Sequence, residues 1–286
     1  MTAPLRLALS SPVVVRVPGR YSPWEADAGI EELARVAEAA DRLGFDHLTC
    51  SEHTAIPAAV AATRGATYWD PVATLSYLAA RTTRIRLATS VLVLPYHHPL
   101  EIAKRYGTLD RISGGRVVLG VGVGSLREEF ELLGATWDGR GERADDAIAA
   151  LRTAFGAREP HYAGTHYSFS ELIVEPAGVQ ARVPIWVGGR TVRSLRRAVR
   201  FGDGWMPFGL PTAELKTMLA HVDSPPGFEV VLPTGPLDPL GEPGRVTRRL
   251  ATLADAGATL AGCAVAANSA EHYCDQLAAL TELANR

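Results

Sequence analysis

Lysine is nearly absent from this sequence. The 286 residues include only Lys104 and Lys216, so 27 of the 29 basic residues are arginine. Such an excess is typical of proteins that bind phosphate or nucleic acid. The formal net charge of −2 argues against nucleic acid, because proteins that bind it usually carry a basic surplus. We interpret the imbalance as GC-rich codon usage, which also fits the many alanines and glycines.

Cysteine and long hydrophobic runs are also scarce. The three cysteines are Cys50, Cys263 and Cys274, and they form no C-x-x-C motif, so neither a zinc ribbon nor a disulfide framework is indicated. No signal peptide is visible, and no apolar run approaches the roughly 18 residues of a membrane span. We therefore expect a cytoplasmic protein that binds neither membranes nor nucleic acid.

Several catalytic motifs are missing. The sequence contains no G-x-S-x-G elbow and no G-x-x-x-x-G-K-[ST] loop, which argues against a serine hydrolase and a P-loop NTPase. Glu52, His53, His97 and His98 could suggest a metal, but they lack H-x-H or H-E-x-x-H spacing. No metal site is predicted.

The sequence is instead rich in alternating strand and helix patterns. Strands are predicted at 5–10, 45–51, 85–94, 116–124, 184–189, 204–209, 228–232 and 259–267. Helices are predicted at 27–43, 72–80, 99–112, 142–155, 192–201, 212–221 and 245–256, and a final helix is predicted to run through Leu283. A hairpin-like excursion at about 157–183 interrupts this order, with the hairpin itself at 162–169.

Eight strand–helix pairs favour a single (β/α)8 TIM barrel with insertions, spanning residues 1–286 as one domain. The alternative is a Rossmann-type sheet. Its best support is Gly120, Gly122 and Gly124, but the dinucleotide fingerprint needs a glycine where this chain has Ser125. These glycines could equally let the end of a barrel strand pack tightly.

In a barrel, the chemistry lies at the carboxyl ends of the strands. Glu52 and His53 end the second strand and form a candidate acid–base pair, because a neighbouring carboxylate can orient a histidine or raise its pKa. Gly188, Gly189, Arg190 and Thr191 end the fifth strand, where free backbone N–H groups and a helix dipole would form an anion site. The alternative there is an N-cap by Thr191.

The sequence resembles the bacterial luciferase-like monooxygenase superfamily over roughly residues 25–210. The similar segments are AADRLGFD at 39–46, LDRISGGRVVLGVGVG at 109–124, EF at 129–130, LG at 133–134, RGER at 140–143, YAGTHY at 162–167, PIWVGGR at 184–190 and GDGW at 202–205. The resemblance implies an eightfold β/α barrel that uses flavin mononucleotide (FMN) or the deazaflavin coenzyme F420.

Glu52-His53 resembles the acidic residue and histidine of the F420-dependent branch, although the family commonly has Asp in the first place. The resemblance implies a cis peptide between Ser90 and Val91 behind the deazaflavin ring, glycines such as Gly122 and Gly124 near the cofactor, and a phosphate loop at residues 188–191. Ser125 stands where sugar-phosphate dehydrogenases of the family have a glutamate, which argues against a sugar-phosphate substrate.

The resemblance thus implies hydride transfer between F420 and a small organic substrate, with His53 assisting proton transfer. The alternatives are a two-component monooxygenase that uses reduced FMN from a separate reductase, and a non-catalytic barrel that only binds cofactor. The loop at 54–69 and the stretch 161–179 are expected to shape the substrate pocket. Tyr68 and Trp69 are candidates for its aromatic wall, with core packing the alternative for Trp69. A homodimer is implied by resemblance alone.

Overall fold

The computed structural model describes residues 4–285, and its centre is a closed barrel of eight parallel strands. The strands are β1 (Arg6–Leu9), β2 (His47–Cys50), β3 (Arg86–Thr89), β4 (Val117–Gly122), β5 (Ile185–Gly188), β6 (Gly204–Met206), β7 (Glu229–Leu237) and β8 (Leu260–Val265). Each strand pairs with the next, and β8 pairs with β1. The predicted TIM barrel is confirmed, and the Rossmann-type alternative is wrong.

One principal helix follows each strand. These helices are α1 (Ile30–Leu43), α2 (Pro71–Arg81), α3 (Pro99–Ser113), α4 (Arg140–Ala154), α5 (Val192–Phe201), α6 (Thr212–Leu219), α7 (Pro243–Asp255) and α8 (Ala270–Ala284). Short helices at Ala58–Arg64 and Arg127–Leu132 lie in the loops after β2 and β4, and 3-10 turns occur at Pro23–Ala26 and Leu94–Tyr96.

Local sequence sets the helix ends. The Asp70 carboxylate accepts a hydrogen bond from the Ala73 amide and Pro71 follows it, an arrangement that favours the start of α2. Gly44 ends α1 in the left-handed conformation, at a φ of 80°, which glycine adopts without a side-chain clash. Along α1, Leu33, Ala37 and Ala40 are fully buried, so the predicted apolar face packs on the barrel.

The barrel interior has its own small core. It is formed by six buried residues, with the side chain of Val91 packed against them: Ala88, Val118, Trp186, Met206, Val231 and Leu260. At the amino-terminal end of the barrel, the Trp186 indole donates to Glu229 and contacts the ring of the buried His47. Side chains therefore fill the barrel, and access to its interior is left to the opposite end.

Two predicted strands differ from those in the structure. The third, predicted at 85–94, ends as β3 at Thr89, and a cis peptide joins Ser90 to Val91 as the resemblance implied. The chain resumes as the short strand Leu92–Val93, which pairs with β4. The seventh, predicted at 228–232, continues to Leu237 because a register shift between Pro233 and Pro236 lets the ladder pass the prolines.

The predicted hairpin is present as Tyr162–Ala163 paired with Ser168–Phe169. The Tyr162 hydroxyl lies 2.5 Å from an Asp146 carboxylate oxygen on α4, and the Tyr167 ring makes an edge contact with His98 at the start of α3. These contacts place the hairpin against two outer helices. Across residues 4–285, no helix combines the length and apolar character that crossing a membrane requires.

Candidate active site

The carboxyl ends of the strands form the barrel mouth, and His53 lies there just beyond β2. Its Nδ1 is 2.7 Å from Oε2 of Glu129, which lies in the short helix Arg127–Leu132 after β4. The side chain of Glu129 is fully buried, whereas that of His53 is 18% exposed. Two loops that are distant in sequence therefore meet in one hydrogen-bonded pair at the mouth.

Glu129 accepts four hydrogen bonds, two on each carboxylate oxygen. Oε2 also accepts from the Tyr96 hydroxyl at 2.9 Å, and Oε1 accepts from the amides of Thr54 at 2.5 Å and Ala55 at 3.2 Å. Burial alone would raise the pKa of Glu129, but the hydrogen bonds from His53, Thr54 and Tyr96 lower it below its usual value. Glu129 is thus held as a carboxylate.

This environment fixes the roles of the two His53 nitrogens. A carboxylate only accepts hydrogen bonds, so Nδ1 carries the proton that bonds to Glu129. The other nitrogen, Nε2, has no hydrogen-bond partner in the described part of the protein. Nε2 is therefore the position at which His53 can accept or release a proton at the mouth.

The predicted pairing of Glu52 with His53 is wrong. Glu52 accepts from His97 Nε2 at 2.7 Å and from the Val93 amide at 2.7 Å, so it turns away from its neighbour. Adjacent side chains along an extended segment point in opposite directions, which separates these two residues. Burial lowers the pKa of His97, but the hydrogen bond and charge of Glu52 more than compensate and raise it. Glu52 instead holds the segment that follows Val91.

Val91 forms the floor of the mouth. A Cβ atom on Gly122 would lie 2.6 Å from Val91 Cγ2, and one on Gly188 would lie 2.7 Å from Val91 Cγ1. Both glycines thus make room for the same side chain, which remains partly exposed. Gly124 similarly accommodates the ring of Phe130, at a φ of +78°. The tight-packing interpretation therefore accounts for Gly122 and Gly124, and Val91 is the surface they present to the mouth.

In the predicted anion loop after β5, helix capping already uses some of the backbone amides. Thr191 Oγ1 accepts from the Ser194 amide, and Ser194 Oγ accepts from the Thr191 amide, so the N-cap alternative is present. A Cβ on Gly189 would lie 2.7 Å from Ser194 Cβ, which shows that this glycine permits close packing against α5. The first amides of α5 point out of the helix end, and Arg190 is exposed beside them.

Of the two predicted aromatic residues, Tyr68 reaches the site and Trp69 does not. The Tyr68 ring lies edge-on to His53 with centroids 4.5 Å apart. Trp69 packs against the main core, its amide donates to the Val14 carbonyl and its own carbonyl faces the thiol of Cys50. Core packing is therefore the role of Trp69.

Sequence reasoning missed Glu129 and Tyr96 as site residues. Glu129 stood inside a segment used for the family resemblance, but its separation of 76 positions from His53 hid the pairing. Within residues 4–285, no group of three or more His, Cys, Asp or Glu side chains could hold a metal ion.

Comparison with known proteins identifies the family. The model of the luciferase-like monooxygenase family matches residues 10–232 of this chain, which is most of its length and includes the mouth residues described above.

Two curated relatives differ in cofactor. An F420-dependent glucose-6-phosphate dehydrogenase from Microbacterium testaceum is 30% identical over 233 residues, covering 76% of this chain and 60% of the relative. The oxygenase component of a flavin-dependent trigonelline monooxygenase from Acinetobacter baylyi is 27% identical over 199 residues, covering 68% of this chain and 53% of the relative. The relatives thus include F420-dependent and flavin-dependent enzymes.

Solved structures agree on the fold. The crystal structure of the monooxygenase RslO1 from Streptomyces bottropensis has a TM-score of 0.74 at 23% identity, covering 97% of this chain and 98% of that one.

Proposed function

Because the chain belongs to the luciferase-like monooxygenase family, we propose that it is an F420-dependent oxidoreductase, which transfers a hydride between the deazaflavin and a small organic substrate with His53 assisting proton transfer. The observation that carries this proposal is the His53–Glu129 pair. It fixes one ring nitrogen and leaves Nε2 free at the mouth.

The residues at the mouth fit a flat, anionic cofactor. Val91 offers a partly exposed apolar surface against which a ring can lie, and Ser90 precedes it. The outward amides at the start of α5, with Arg190 beside them, suit a phosphate group, because a helix amino terminus carries partial positive charge. Gly188 makes room for Val91 beside this loop, Gly189 permits its close packing against α5, and the Thr191 side chain caps that helix.

The contribution of the chain is to place groups and to move one proton. A bound deazaflavin supplies the hydride chemistry, and the protein supplies binding, orientation and electrostatics. His53 gives a proton to the substrate from Nε2, or accepts one there in the opposite direction. Glu129 stabilises the charged form of the ring, and Tyr96 with the amides of Thr54 and Ala55 keeps Glu129 in place.

A titration of the purified protein with F420 and with FMN, in separate calorimetric experiments, tests the cofactor assignment. We expect F420 to bind at least about tenfold more tightly than FMN, a difference of about 1.4 kcal/mol. Tight binding of FMN alone would contradict the proposal.

The second candidate is a two-component monooxygenase that receives reduced FMN from a separate reductase. It is supported by the similarity to the oxygenase component of the trigonelline monooxygenase. Oxygen-dependent product formation with reduced FMN, and none with reduced F420, would favour it. Cofactor binding without turnover toward any substrate would favour a non-catalytic barrel.

A further inference from the structure

We propose that the substrate carries an anionic group, a carboxylate in the simplest case, which binds Arg64 beside His53. This inference rests on the proposed function, because it concerns the substrate of the same site. It starts from a positive charge that the protein leaves unmatched at the mouth.

Arg64 is the last residue of the short helix Ala58–Arg64 in the loop after β2. Its Nη1 lies 3.3 Å from the hydroxyl of Ser125, directly beyond the end of β4. Within residues 4–285, no carboxylate oxygen lies within 4.0 Å of its guanidinium. Many arginines of this chain are paired, as Arg152 is with Asp203, whereas Arg64 contacts a neutral hydroxyl at the site.

The backbone that carries Arg64 is held on both sides. The Tyr68 hydroxyl donates to the Arg64 carbonyl at 2.9 Å. Gly65 has a φ of +77°, and a Cβ there would lie 2.1 Å from the Arg16 carbonyl oxygen, so only glycine permits this approach. The strand Thr67–Tyr68 also pairs with Val15–Arg16. The backbone at Arg64 is therefore held before a ligand arrives, and one hydrogen bond to Ser125 directs the guanidinium toward the end of β4.

Tyr68 contacts both Arg64 and His53. Its ring contacts the His53 ring, while its hydroxyl holds the Arg64 backbone. The His53 ring and the Arg64 backbone therefore both contact the same tyrosine. An anionic group bound by Arg64 would place the adjoining carbon atoms of a small substrate near His53.

A second guanidinium flanks the same loop. Arg140 stacks over the Trp137 ring at 3.7 Å from the centroid, and its Nε approaches the Gly124 carbonyl at 3.5 Å. The described residues also place no carboxylate within 4.0 Å of Arg140. The nearby carboxylate of Glu129 is already occupied by four donors. The loop at Gly124–Ser125 thus contacts two guanidinium groups that have no carboxylate partner among the described residues, and the planar guanidinium matches a carboxylate.

Matched ligand pairs test the inference. Acetate with acetamide, benzoate with benzamide, and octanoate with octanamide are titrated calorimetrically into the cofactor-free protein and into the protein loaded with F420. We expect at least one carboxylate to bind about tenfold more tightly than its amide. Arg64→Ala should abolish that preference, and Arg64→Lys should keep part of it. Arg42→Ala, which removes an exposed arginine of α1, should leave the preference unchanged.

Two results would overturn the inference. One is equal binding of every carboxylate and its amide by the unmodified protein. The other is an Arg64→Ala variant that binds the cofactor about tenfold more weakly but retains the carboxylate preference, which would assign the cation to the cofactor. A protein that binds neither F420 nor FMN would instead contradict the proposed function, and the titrations on cofactor-free protein would still decide the role of Arg64.

Discussion

His53 Nδ1 and Glu129 Oε2 lie 2.7 Å apart at the barrel mouth, although they belong to the loops after two different strands. The pair fixes the orientation of the His53 ring and leaves Nε2 without a partner among the described residues, which is the basis of the proton-transfer role that we propose. Because Glu129 receives four hydrogen bonds, it holds two loops together as well as orienting the histidine.

Glu129→Gln should lower kcat by about tenfold or more while leaving the Kd for F420 nearly unchanged. The amide cannot stabilise a positive charge on His53, and its NH2 group offers donors where four donors already converge. Steady-state kinetics together with a cofactor titration would separate the two effects. Glu131→Gln, an exposed change on the same short helix, is the matched control and should behave like the unmodified protein. An equal loss in both variants would contradict the assigned role.

Glu52→Ala should destabilise the protein by about 1–3 kcal/mol, because it leaves the buried side of His97 and the Val93 amide without their acceptor. The loss of stability in this variant should depend on pH, because Glu52 raises the pKa of His97. The stabilisation that Glu52 gives to protonated His97 is fully present below the unfolded-state pKa of about 6.5, and it is lost as the pH rises through the folded-state pKa.

Urea unfolding of the unmodified protein and of Glu52→Ala between about pH 6 and pH 9 tests this pH dependence. The difference in unfolding free energy between the unmodified protein and Glu52→Ala should be larger at the acidic end. A difference that grows toward alkaline pH would mean that Glu52 does not stabilise the protonated His97.

Gly122→Ala should cost about 1–3 kcal/mol of stability, because the new methyl group would overlap the Val91 side chain. Combining it with Val91→Ala should recover part of that loss, and a thermodynamic double-mutant cycle measures the coupling. Gly244→Ala is the control. A Cβ there meets only the flexible end of Arg248 at 3.5 Å, and alanine favours a helix over glycine, so this change should not destabilise the protein. Strict additivity of the Gly122 and Val91 changes would contradict the packing described for the floor.

Acid stability should depend on Asp46 at the amino-terminal end of the barrel. Burial opposes its ionisation, but the hydrogen bond from His47 and the charge of Arg86 lower its pKa to about 2. Its contribution to stability is therefore present above the unfolded-state pKa of about 4 and is lost as the pH falls toward about 2.

Unfolding free energies of the unmodified protein and Asp46→Asn, measured from about pH 6 downward, should differ by a constant amount above about pH 5 and converge in acid. The exposed Asp27→Asn variant should show no such convergence. A difference independent of pH would show that Asp46 does not contribute through its charge.

The alternation of apolar strands and amphipathic helices was sufficient to predict the barrel, because each pattern reflects local periodicity. It could not predict the partners of Glu52 and His53. Those partners, His97 and Glu129, lie in the segments that follow β3 and β4, and only the pairing of β2 with β3 and of β3 with β4 brings them near Glu52 and His53. The glycines of β4 were visible in the sequence, but their use became clear only when Val91 and Phe130 occupied the space that a Cβ would take.

The family resemblance predicted local features of the site that the hydrophobic periodicity of the sequence could not predict. It implied the cis peptide between Ser90 and Val91, which the structure contains. It assigned Thr191 to a phosphate loop, where the structure shows a helix cap. A shared motif identifies a position in the fold, but the atoms around that position decide which hydrogen bonds remain available for a ligand.

The central claim is that His53 moves the proton during F420-dependent hydride transfer. Its most direct test is the anaerobic rate of cofactor turnover with reduced F420, measured for the unmodified protein and for His53→Ala. The substrate is the fastest one from a panel of small aldehydes, ketones, enones and imines, each with and without a carboxylate group. We predict that the variant binds F420 with unchanged affinity and reacts about 10²–10⁴-fold more slowly. A His53→Ala variant that turns over at the unmodified rate would contradict the account.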